Sequence, residues 1–139
     1  MTGIEALMYY VLWMIVVLLM YVGHRVPLML IGKKPGNYWT RGNVTDDLPF
    51  FVRAQHAHAN LVENVALFAA VVLAAAALGR NGVVDGLACW VLYARIGQTV
   101  VHLIGTNTLL VLVRATLFVV QIGIIAYMAF QLTQPVVAA

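Results

Sequence analysis

Residues 6–23 read ALMYYVLWMIVVLLMYVG, an apolar run without a single charged side chain. A helix needs about 20 such residues to cross the hydrocarbon of a bilayer. Three further runs follow it: Val65–Gly79, Val83–Ala94, and Leu109–Val113 continued by Ala115–Val120, broken only by isolated polar residues. Of the 139 residues, 63% are hydrophobic and 9% charged, a balance foreign to a soluble domain of this length. In lipid every backbone polar group must be paired within the protein, so apolar runs of this length are read as helices. The fold class is therefore an all-α membrane protein, a four-helix transmembrane bundle with helices over about 4–31, 49–78, 84–104 and 109–132, in one domain covering 1–139.

The punctuation between the runs supports these boundaries. Gly32-Lys33-Lys34-Pro35-Gly36 ends the first helix, because glycine and proline cannot continue it. Thr45-Asp46-Asp47 before Leu48-Pro49 reads as an N-terminal cap with proline in the first turn of the second helix. Gly79–Gly82 and Gly105–Thr108 are tight turns, and short connections make consecutive helices antiparallel, up and down. Arg25, Lys33, Lys34, Arg41 and Arg53 lie in or beside the first loop, whereas the second has only Arg80 and the termini have none. The positive-inside rule then places the first and third loops in the cytoplasm and both termini outside. Tyr9, Tyr10, Trp13, Trp90 and Tyr93 are expected near the membrane interfaces.

Several classes of function are disfavoured. A net charge of +3 without a basic stripe and interleaved aromatics gives no nucleic-acid surface. The lone Cys89 cannot form an intrachain disulfide, and it reads as a small buried apolar residue. The N-terminal run lacks a basic leader and a small-residue cleavage site, so it reads as a span and not as a signal peptide.

The informative residues are polar ones inside the spans. Arg53, His56, Asn60 and Glu63 recur at steps of three, four and three on the second helix, along one face. Arg95, Gln98, Thr99 and His102 form a second face on the third helix, and Arg114 stands near the start of the fourth. An ionised side chain in mid-membrane costs at least ~2.5–3.5 kcal/mol on insertion scales, so these residues should be paired or solvated. Counting from the turns brings Glu63, Asn60, Gln98, His102 and Arg114 to similar depths. Glu63 is thus expected to face Arg95 and Arg114 in a wet pocket whose surplus positive charge suits an anionic ligand with more than one carboxylate. The same residues read equally as a buried network that fixes helix register and subunit association. His56 and His58 are two residues apart and point to different helix faces, which gives no metal site. His24 reads as an interfacial residue.

The segment Arg53-Ala54-Gln55-His56-Ala57-His58-Ala59-Asn60-Leu61-Val62-Glu63-Asn64 resembles the second-helix signature of the MAPEG proteins, membrane-associated proteins in eicosanoid and glutathione metabolism. His58, Asn60 and Glu63 match that pattern. Arg95-Ile96-Gly97-Gln98-Thr99-Val100-Val101-His102 is similar to the family's third-helix segment, and Val113-Arg114-Ala115-Thr116-Leu117 to the one holding its thiol-activating arginine. Trp39, Arg41-Gly42-Asn43 and Pro49 look like the first loop of bacterial members, which suggests a bacterial inner membrane.

The resemblance implies a homotrimer binding glutathione between neighbouring subunits near the cytoplasmic face. Glu63 would take the ammonium of glutathione and Asn60 a polar backbone group. Arg95 would buttress Glu63 or meet a carboxylate. His56, His58, Gln98, His102, Arg25 and Arg53 complete the implied binding set. Arg114 would stand by the sulfur and favour the thiolate, which would conjugate or reduce a lipophilic molecule arriving from the bilayer. The chain departs from the family pattern at His56, Gln98, His102 and Ala115. Two other functions fit the same polar residues: a non-catalytic membrane assembly module, and a proton-coupled multidrug transporter using Glu63. Small transporters of that kind carry the essential glutamate in the first helix, and here that helix has none within its apolar run.

Overall fold

A computed structural model of the chain describes residues 1–135. It contains α1 (Gly3–Leu30), α2 (Pro49–Ala77), the single turn α3 (Gly82–Asp85), α4 (Ala88–Ile104) and α5 (Thr108–Thr133). α1, α2, α3 continued by α4, and α5 make four segments long and apolar enough to cross a membrane, so the chain is an integral membrane protein. α1 packs mainly on α2 and α4 on α5, and α4 joins the two pairs by touching α1 and α2.

The helix ends explain why the chain turns where it does. Thr2 and Glu5 form a reciprocal capping box at the start of α1. α1 and α2 both end on a left-handed glycine, Gly32 at φ 74° and Gly79 at φ 65°. In each case the next amide reaches back to close the last turn, Lys33 N–H to the Leu28 carbonyl and Arg80 N–H to the Ala75 carbonyl. This closure satisfies carbonyls that a helix end otherwise leaves unpaired, and a residue with a Cβ would be strained there.

Three sets of tertiary contacts, two at one end of the bundle and one at the other, fix the up-and-down order. At one end, Asp85 Oδ1 accepts the Gly3 N–H at 2.7 Å, and Arg80 donates to the carbonyls of Gln131, Leu132 and Gln134 at the end of α5. At the other end, Arg53 Nε donates to the Leu103 carbonyl at the end of α4. A carboxylate at a helix N-terminus and a guanidinium at a C-terminus both complement the helix dipole.

Four local expectations need correction. The Thr45–Asp47 segment does not cap α2: Leu48 is the cap residue and makes no side-chain cap bond, because both aspartates are engaged elsewhere in the loop. Pro49 does open the helix, as its fixed φ favours. The third span is broken at Gly86–Leu87, and this break lets the α3 turn bring Asp85 to the start of α1. Tyr10 is not interfacial. It is 1% exposed, stacks obliquely on Phe68 and donates its hydroxyl to the Leu61 carbonyl at 3.0 Å. Cys89 is half-buried and not fully enclosed.

The core runs along the bundle axis through Ala6, Leu61, Phe68, Val72, Ala75, Ala88 and Met128. Its alanines let the helices approach closely, which is how packing holds a bundle together in lipid. The outer faces carry Leu19, Leu73, Val119 and Phe130, all exposed.

Candidate functional site

Within this bundle a polar ladder crosses from α2 through α4 to α5. Arg95 is 2% exposed and donates from Nη1 to Asn60 Oδ1 at 2.7 Å and to Gln98 Oε1 at 2.8 Å. Gln98 Oε1 receives a second bond, from Gln121 Nε2 at 2.8 Å. Thr99 closes onto the Arg95 carbonyl. The Arg95 guanidinium lies 5.9 Å from the Tyr10 ring centroid, within range of a cation–π attraction. These contacts give the buried cation polar partners, yet no carboxylate among the described residues pairs with it.

Beside the ladder is a recess of about 250 Å3 lined by Asn60, Gln98, Val111, Arg114, Ala115 and Phe118. Arg114 reaches it from the second turn of α5 and makes no hydrogen bond among the described residues, and its Nε is buried without a partner. A guanidinium placed so, with apolar neighbours on one side, attracts negative charge. His102 is buried one turn from Gln98, at the end of α4.

The first loop builds a second polar cavity of about 280 Å3 at the same end of the bundle, where Arg25, Trp39, Arg41, Gln55 and His56 meet. Its frame is Asp47, whose side chain is 2% exposed. Asp47 Oδ2 accepts from Arg25 Nη2 at 3.0 Å, and both its oxygens accept from the Trp39 indole N–H, at 3.1 and 2.9 Å. Arg25 also donates to Gln55 Oε1 at 2.7 Å. His24 lies 3.8 Å from Asp47 and stacks flat on Phe51, so it belongs to this loop frame. Farther out, Lys34 and Tyr38 both bind Asp46. The ammonium of Lys34 and the Tyr38 hydroxyl hold the Asp46 carboxyl below its usual range, and Asp46 raises Lys34 in turn.

The residues picked out by spacing are thus partly united. Asn60, Arg95 and Gln98 are bonded together, and Arg114 shares their recess. Arg53 reaches the end of α4, the turn that carries His102, and Arg25 and His56 line the loop cavity. Two residues lie apart. Glu63 is exposed and pairs with neither Arg95 nor Arg114. His58 turns to α1, where its Nδ1 meets the Tyr21 hydroxyl at 3.0 Å.

Gln121 and Asp47 were not foreseen. Gln121 is signalled only as a lone amide in an otherwise apolar run, and Asp47 reads locally as a cap.

The MAPEG family model matches residues 4–133 of the chain. No curated protein and no solved structure matches it. The extent of the family match, together with the four spans and the polar ladder that joins α2, α4 and α5, settles the assignment: the chain belongs to the MAPEG family.

Proposed function

We propose that the protein is a glutathione-dependent membrane enzyme of the transferase or peroxidase type, acting on lipophilic electrophiles or hydroperoxides dissolved in the bilayer. One observation carries this reading: the Arg114 guanidinium, unpartnered and partly desolvated, borders the recess that Asn60 and Gln98 also line. An ordinary thiol, with a pKa of about 8.5, is mostly protonated at neutral pH, and an adjacent cation favours the nucleophilic thiolate. Each tenfold gain in thiolate requires only ~1.4 kcal/mol of differential stabilisation. In conjugation the sulfur forms a bond to the electrophilic carbon while the leaving group departs with its electron pair. In peroxide reduction the thiolate takes the terminal oxygen to give a sulfenic acid and an alkoxide, which takes a proton from water to become the alcohol; a second thiol then reacts with the sulfenic acid to form the disulfide and water.

Family membership supports the reading, since the family includes such enzymes alongside members without catalytic activity. The exposed Glu63 and His56 support a homotrimer in which a neighbouring subunit completes the site, because a carboxylate on the membrane-spanning surface requires cover. In this assembly Glu63 takes the ammonium of glutathione. Arg25 and His56, which line the loop cavity, take its carboxylates, and Arg53 and His102 complete the binding set. His58, turned to Tyr21, supports α2 and not the ligand. The first-loop end faces the cytoplasm, the source of glutathione, across a bacterial inner membrane.

The closure of the Asn60–Arg95–Gln98–Gln121 ladder on itself favours one competing function, a non-catalytic assembly module. Calorimetric titration of the detergent-solubilised protein with glutathione separates the two. Saturable binding supports the enzyme, and an intact trimer with no heat of binding at millimolar glutathione supports the module.

A further inference from the structure

The segment from Arg25 to Asp47 carries more positive charge than its own carboxylates neutralise. Of its four cations, Arg25 is held by Asp47 and Lys34 by Asp46. Lys33 and Arg41 are exposed, and their side chains make no hydrogen bond or ion pair among the described residues. The same segment exposes aliphatic side chains: Leu30 is 80% and Val44 95% exposed, and Ile31 is exposed beside Leu30.

The backbone gathers these groups along one edge. Past Gly32 the amides of Lys33 and Lys34 both fold back onto the Leu28 carbonyl, so Lys33 lies against the last turn of α1, next to Leu30 and Ile31. Lys34 Nζ binds Asp46 at 2.8 Å, which ties Val44, two residues earlier in the chain, to the same edge. Arg41 stands in the turn that Asn43 N–H closes on the Thr40 carbonyl, where it also borders the loop cavity. Because α1 ends at Leu30 and α2 begins at Pro49, this edge lies where hydrocarbon meets headgroups.

We propose that the edge is a docking surface for anionic phospholipid, with Leu30, Ile31 and Val44 in the acyl boundary and Lys33 and Arg41 on the headgroups. Aliphatic side chains gain by leaving water, and a lysine beside them extends its charge to the polar layer. A water-soluble anion would satisfy the cations and leave the aliphatic groups in water. A zwitterionic lipid would cover the aliphatic groups and leave the surplus charge without a counter-charge. Only a lipid with a negative headgroup answers both. It would hold from outside the loop that Asp47 frames from within. The inference does not rest on glutathione chemistry.

The test is thermal unfolding of the detergent-solubilised protein with phosphatidylglycerol or phosphatidylcholine added to the micelles at matched mole fractions. Both lipids are expected to protect saturably, phosphatidylglycerol with a half-point about twentyfold lower. Lys33→Gln and Arg41→Gln are each expected to raise that half-point about fivefold and to leave phosphatidylcholine unchanged. Val44→Ser is expected to weaken both lipids about threefold, because it removes apolar area and no charge. All three side chains are exposed, so the variants should fold as the wild type does.

Equal half-points for the two lipids in the wild type, or a preference that survives the double variant of Lys33 and Arg41, overturns the proposal. Protection by inorganic phosphate equal to that by phosphatidylglycerol overturns it in favour of a free-anion site. An unchanged response of Val44→Ser removes the aliphatic edge from the lipid and overturns it as well. Loss of the oligomer in Lys33→Gln overturns it in favour of a second copy of the chain. A lipid preference that holds where glutathione does not bind supports this inference and removes the proposed function.

Discussion

Asp47→Ala should unfold the first loop from the bundle. The buried Asp47 carboxylate holds Arg25 at 3.0 Å and the Trp39 indole N–H at 2.9 Å. Truncation leaves both donors without their acceptor. A buried donor so orphaned costs about 1–3 kcal/mol, more when it is charged. Two features limit the loss at Arg25, which is 12% exposed at its side chain and keeps its bond to Gln55. Trp39 has no second acceptor among the described residues, so its penalty stands in full until the loop opens to water. The sum is about 2–4 kcal/mol, below the 3–5 kcal/mol typical of breaking a fully buried pair. Because Arg25 and Trp39 line the loop cavity, the variant should also distort that cavity. Thermal unfolding in detergent micelles, followed by tryptophan emission, reads both effects: a lower melting temperature and a red shift as Trp39 meets water. Asp47→Asn, which retains one acceptor oxygen, should lie between. A melting temperature and emission maximum equal to those of the wild type would refute the claim that Asp47 frames the loop.

Three further outcomes follow from contacts elsewhere in the bundle. Arg80→Ala removes the side chain that binds three carbonyls at the end of α5 and should cost about 1–2 kcal/mol, seen as faster amide hydrogen exchange in the last turn of that helix. Gly3→Ala should destabilise by about 1–3 kcal/mol in chemical denaturation, since a Cβ there would lie 2.8 Å from Val84 Cγ2. The Lys34–Asp46 contact should order the outer loop only within a pH window. Asp46 is depressed below 3.8, so its contribution is present above that value and disappears as pH falls through the lowered folded pKa; Lys34 is raised above 10.5, so its share disappears as pH climbs through the raised one. Loop amide protection factors, taken relative to the intrinsic exchange rate at each pH, should therefore be highest between these limits and should fall in high salt.

The four spans were legible because lipid demands them: no other structure hides the backbone of an apolar run such as residues 6–23. The helix ends at Gly32 and Gly79 were legible for a similar reason, since only glycine sits comfortably at their φ angles. Spacing also grouped Asn60 with its neighbours on α2, and Arg95 with Gln98 on α4, which the hydrogen bonds unite. It failed for Glu63. Residues three apart differ by about 60° around a helix of 3.6 residues per turn, enough to turn Glu63 outward while Asn60 faces α4. A one-helix pattern fixes a face but not the rotation of that face against the next helix. Asp47 was misread because a local cap signal and a partner 22 residues away compete for the same carboxylate, and only the packed loop decides between them. Tyr10 has the amphipathic character of an interfacial residue, but the Leu61 carbonyl that accepts its hydroxyl is supplied by tertiary packing.

The central claim, that Arg114 stabilises a thiolate in the recess, is tested most directly by the ultraviolet absorbance of glutathione titrated onto purified protein at neutral pH. The account predicts a saturable thiolate band in the wild type that is lost in Arg114→Ala while α-helical content is retained. A band of equal intensity in both proteins, or none in the wild type despite bound glutathione, would contradict it.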